Sequence, residues 1–160
     1  MKYTLLLLIA AAVACSDTGQ SDNISPALPD TPVPGKEEPP APVEHCYAKL
    51  TGKDTVQLRL AMSGNTVTGS LLYKLAEKDS NKGQLQGTMH GDVLIADYTF
   101  RSEGRESVRQ VAFQIKDSTA AEGYGQVEEK NGRMVFTDPK KLSFGKSMVL
   151  KEIPCGDIAQ

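Results

Sequence analysis

The sequence predicts an all-β fold, an antiparallel up-and-down β-barrel of about eight or nine strands. Three observations predict it. Apolar and polar residues alternate from Tyr47 onward, turn residues recur roughly every ten positions, and no stretch of the domain carries a convincing helical stripe. Val56, Leu58, Leu60 and Met62 share one face of a first long strand, and Ser63-Gly64-Asn65 turns the chain. Val67, Gly69, Leu71, Tyr73 and Leu75 resume the inward face before the polar loop Glu77–Gly83. Leu85, Gly87 and Met89 follow, then the turn Gly91-Asp92, then Leu94, Ala96, Tyr98 and Phe100. After the Glu103-Gly104 turn come Arg109, Val111, Phe113 and Ile115. Gly123, Gly125 and Val127 continue the series. Asn131-Gly132 is a strong hairpin signal, and Met134–Phe136 and Met148–Leu150 supply short final strands.

Short connections favour antiparallel neighbours over crossovers. Glycines inside strands, at 69, 87, 123 and 125, suit the sharp bends that closing a small barrel requires. Closure would set the first strand beside the last. That ordering brings Cys46 and Cys155, which bracket the domain, close together.

The chain ahead of this domain has a different composition. Residues 16–45 hold seven of the nine prolines, no aromatic residue, and six acids against Lys36 alone. Such a segment cannot bury enough apolar surface to offset its ordering entropy, so a disordered spacer is expected there. The domain at 46–155 carries 16 Lys/Arg and 13 Asp/Glu, with a short tail at 156–160. A balance of +3 without a basic stripe does not point to nucleic acid.

The first residues are the most specific signal in the chain. Lys2 is followed by an unbroken apolar run from Leu5 to Ala14, then by Ala12-Val13-Ala14-Cys15, small residues ahead of a cysteine. The run is too short to span a bilayer, which needs about 20 residues, and fits a signal peptide. This resembles the lipobox of bacterial lipoproteins, and the whole plan is similar to small envelope lipoproteins of Bacteroidetes. The resemblance implies removal of residues 1–14, lipidation of Cys15, and a membrane anchor followed by the spacer of residues 15–45. Ser16 after the cysteine implies the outer membrane. With Cys15 carrying lipid, Cys46 and Cys155 are left to pair, and an exported domain permits a disulfide. The likeness to lipocalins extends only to architecture, since the chain has no Trp for their Gly-x-Trp signature.

The densest polar cluster runs from Arg101 to Arg109 across a hairpin tip. Arg109 stands out because alternation puts it on the inward face with Val111 and Phe113. An inward arginine requires a carboxylate, with Glu122 or Glu77 in reach, or a ligand. Arg109, Glu103, Arg105 and Glu122 are therefore the candidate ligand-binding residues at one barrel mouth. No catalytic constellation, metal-ligand spacing or phosphate loop is present, so neither cofactor nor metal is expected. The expected function is non-enzymatic binding of a small amphipathic ligand or envelope component. The alternative is a protein-interaction module using the uncharged outer residues Thr66, Thr68, Ser70, Gln84, Gln86 and Thr88.

Overall fold

The computed structural model describes residues 40–78 and 80–158. The expected signal peptide, the lipidated Cys15 and nearly all of the spacer lie outside the described residues. Ten strands are present among the described residues: β1 Val43–Thr51, β2 Asp54–Ser63, β3 Thr66–Lys74, β4 Asn81–His90, β5 Val93–Ser102, β6 Arg105–Lys116, β7 Thr119–Tyr124, β8 Val127–Lys130, β9 Arg133–Phe136 and β10 Ser143–Ile153. Eight of them close antiparallel in the order β5-β4-β3-β2-β1-β10-β7-β6, with β6 returning to β5. The predicted barrel is there. β1 begins at Val43, ahead of Cys46, so His45 belongs to the sheet; its Nδ1 lies 3.0 Å from Glu152 Oε1 on β10.

Period-two alternation builds the core as the hydropathy pattern requires. Leu58, Leu60, Leu71, Leu94, Phe113 and Leu150 are completely buried, and burying each such side chain contributes about 1.5–3 kcal/mol. Opposite faces alternate to solvent. Gly69 is required by curvature, because a Cβ there would collide with the Arg59 carbonyl oxygen of the paired strand.

Two features depart from a simple meander. The stretch Gly123–Val127 is not one strand with its glycines facing in. On β7 it is Ala120 that enters the core. Gly123 lies under the Phe144 ring, 2.5 Å from where its Cβ would stand, so the ring takes the volume a side chain would need. The chain then leaves the barrel as the β8–β9 hairpin, turned by Asn131-Gly132 with both residues at positive φ. β9 runs parallel to the start of β6 at Val108 and Arg109, a pairing that hairpin logic does not predict. β8 ends the strand order, and all four of its residues are exposed.

β10 then closes the barrel between β7 and β1. Its ladder with β1 is short, Cys46↔Ile153, Tyr47↔Glu152 and Ala48↔Lys151, whereas β1 meets β2 from Val43 to Thr51. On the other side its register with β7 is interrupted between Phe144 and Val149. The Cys46–Cys155 disulfide, with Cα atoms 5.1 Å apart, lies beside that short seam.

Candidate functional site

β6 holds its ladder with β5 from Arg105 to Gln114, but with β7 only from Ala112 to Lys116. Ahead of Ala112 it turns to β9 instead. The barrel wall is therefore split at one mouth, and side chains fill the gap. Arg109, Glu122 and Tyr124 line a space of about 420 Å³ with Tyr73, Leu75 and Met148; the same three line a smaller space of about 180 Å³ on the side of β8 and β9. They form the partition between the two.

Arg109 sits across the ladder from Tyr98. Its guanidinium carbon is 5.4 Å from the Tyr73 ring centre, 5.5 Å from that of Tyr98 and 5.3 Å from that of Phe100. The negative faces of aromatic rings attract a cation at such distances. Ring packing also fixes the cage, since Tyr98 and Phe100 stack with centres 4.8 Å apart. The Tyr98 hydroxyl shares its single proton between the backbone carbonyls of Leu71, at 3.2 Å, and Asn81, at 3.0 Å, which ties β5 to the β3–β4 end of the mouth.

Glu122 is held differently. Its Oε1 accepts from the Tyr73 hydroxyl at 2.6 Å and its Oε2 from the Tyr124 hydroxyl at 2.9 Å. No carboxylate of the described residues lies within 4.0 Å of the Arg109 guanidinium. The charge pair expected between Arg109 and Glu122 is thus a shared cavity without an ion pair. Two polar atoms of cavity residues are buried with no hydrogen-bond partner, the donor Nε of Arg109 and the acceptor Oδ1 of Asn81. An unsatisfied buried polar group costs about 1–3 kcal/mol, so such atoms call for a reason.

Of the sequence candidates, Arg109 and Glu122 come together. Glu103 in the β5–β6 turn and Arg105 at the first position of β6 are both exposed and do not line the cavity. Glu77, the other carboxylate considered for Arg109, is exposed on the β3–β4 loop and is likewise absent from the lining. Lys78, Asn81, Ser102, Tyr124 and Met148 complete the cavity and were not legible beforehand. Four lie in a loop or at strand ends, where alternation gives no direction. Met148 enters through the irregular stretch of β10. The usable signal was the aromatic cluster, since Tyr73, Tyr98 and Phe100 all read as inward near one end of their strands.

Burial sets the protonation of the phenols. It pushes Tyr98 up to about 12 from the ordinary 10.0, with Arg109 pulling the other way. Burial, followed by the charge and hydrogen bond of Glu122, raises Tyr73 and Tyr124 further, again opposed by Arg109. A phenol whose folded pKa is raised supports the fold fully below its unfolded value; that support is lost as pH rises through the folded one. Tyrosinate absorbance should therefore stay low past pH 10.0, with stability falling between 10.0 and about 12. Full ionisation centred at 10.0 in a still-folded protein would contradict the hydrogen-bonded arrangement.

A second concavity lies on the outer sheet face. Thr66↔Thr88, Thr68↔Gln86 and Ser70↔Gln84 pair across β3 and β4. Thr68, Ser70, Gln84 and Gln86 line a shallow depression of about 710 Å³ with Arg59 and Arg133. Both arginines are paired, Arg59 with Glu44 at 2.8 Å and Arg133 with Asp97 at 2.5 Å.

Fold and site define a class only: a small closed β-barrel with a polar, aromatic-walled cavity at one mouth. No family model, curated protein or solved structure matches the chain.

Proposed function

We propose that the protein is a lipid-anchored envelope lipoprotein whose barrel binds a small amphipathic ligand in the mouth cavity, without catalysing a reaction on it. The single observation that carries the binding reading is the cavity that Arg109 and Glu122 line together without forming an ion pair. Its size falls within the range of small-ligand sites, about 300–1,000 Å³, and Leu75 and Met148 give it an apolar side. The anchor rests on the lipobox at Cys15 and on the disulfide that occupies the other two cysteines. Outer-membrane sorting rests on Ser16. Labelled palmitate should enter the protein in a bacterial host and be lost in Cys15→Ser; label that survives the substitution refutes the anchor.

Anilinonaphthalene sulfonate, an anionic apolar fluorophore, tests the cavity. It should brighten at one saturable site, the signal vanishing in Met148→Trp, which fills the cavity, and persisting in Thr68→Lys on the outer face. A second reading is favoured by the uncharged polar ladder of β3 and β4. In that reading the outer depression docks another envelope protein, and Thr68→Lys rather than Met148→Trp abolishes cross-linking to it in intact cells.

A further inference from the structure

The distribution of charge around the mouth cavity specifies more than an amphipathic ligand. Arg109 and Lys78 supply cationic donors, and Glu122 supplies a carboxylate. Each Glu122 oxygen accepts one tyrosine hydroxyl, yet a carboxylate offers about four lone-pair sites. Acceptor capacity therefore remains on Glu122. A simple carboxylate amphiphile would answer the arginine and meet Glu122 as a like charge. A simple cation would answer Glu122 and meet Arg109 and Lys78 as like charges.

The geometry points to a zwitterion, and the compact zwitterion with an apolar appendage is a free α-amino acid with an apolar side chain. This rests on the cavity being a ligand site at all, as proposed above. The ligand carboxylate meets Arg109 and Lys78. Its ammonium meets Glu122, and its side chain lies against Leu75 and Met148. The aromatic cage restrains Arg109 before the ligand arrives, which reduces the ordering cost of binding.

Calorimetric titration of the full-length protein in detergent tests this with four probes: L-leucine, N-acetyl-L-leucine, L-leucinamide and decanoate. L-leucine should bind at one site. Removing either ligand charge should weaken binding at least about tenfold, the equivalent of one charge-assisted hydrogen bond. Glu122→Gln, which keeps the shape and one carbonyl acceptor, should weaken L-leucine and narrow its advantage over N-acetyl-L-leucine. Equal or tighter binding of decanoate or L-leucinamide overturns the zwitterion while leaving the cavity as a ligand site. Absence of binding by all four, together with a fluorophore signal indifferent to Met148→Trp, overturns both.

Discussion

Replacing Cys46 and Cys155 together by serine is expected to lower the stability of the barrel by about 4–5 kcal/mol. The disulfide closes a loop with a sequence separation of 109, and the chain-entropy cost released in the unfolded state grows with the logarithm of loop length. The location adds a local effect. β10 is joined to β1 by a three-pair ladder and to β7 by an interrupted one, so it is the least firmly held stave. Urea denaturation of the wild type and of the double serine variant gives the difference in free energy. Hydrogen exchange should show β10 amides opening first in the variant. A loss under about 1 kcal/mol would mean that the unfolded chain is already restrained, and would remove the entropic account.

Arg109→Met is expected to leave the fold as stable as the wild type, or more stable by about 1–2 kcal/mol, while weakening ligand binding. The opposing terms are comparable. Losing the guanidinium forfeits its attraction to three rings, worth about 0.5–2 kcal/mol. It also relieves an unsatisfied donor costing about 1–3 kcal/mol, and a thioether against the same rings returns roughly 0.3–1.5 kcal/mol. Binding has no such compensation: a charge-assisted contact of about 1.5–3 kcal/mol is lost outright, some 10- to 150-fold in affinity. Thermal unfolding and titration of one preparation measure both. A variant that unfolds markedly earlier would show that the arginine serves the fold, and the case for a ligand would weaken with it.

How far the sequence could be read depends on what alternation encodes. It encodes faces, so the buried set Val56, Leu58, Leu60, Leu71, Leu94 and Phe113 was legible, and so was the inward position of Arg109. Closure was legible from turn spacing and from cysteines at the two ends of the domain. Alternation does not encode which inward residues meet across the barrel. The convergence of Tyr73, Asn81, Glu122 and Met148 on Arg109 depends on strand order and stagger, which no local pattern carries. Glu103 and Arg105 drew attention as charges near Arg109 in sequence, yet a hairpin tip points away from the cavity its strands enclose. The place of Gly123 was hidden for a related reason, because the ring that fills its space comes from Phe144 on a strand distant in sequence.

β8 has a consequence beyond the ligand site. Closing a sheet into a barrel removes its free edges, but the β8–β9 hairpin brings one back at the end of the strand order. An unpaired edge is a template on which a neighbouring chain can add a strand. Of the four β8 residues, Glu128, Glu129 and Lys130 are charged, and all four stand in solvent. Adding a strand there would have to crowd or desolvate this row. Where two copies meet edge to edge, the charges on β8 oppose their polymerisation into a shared sheet.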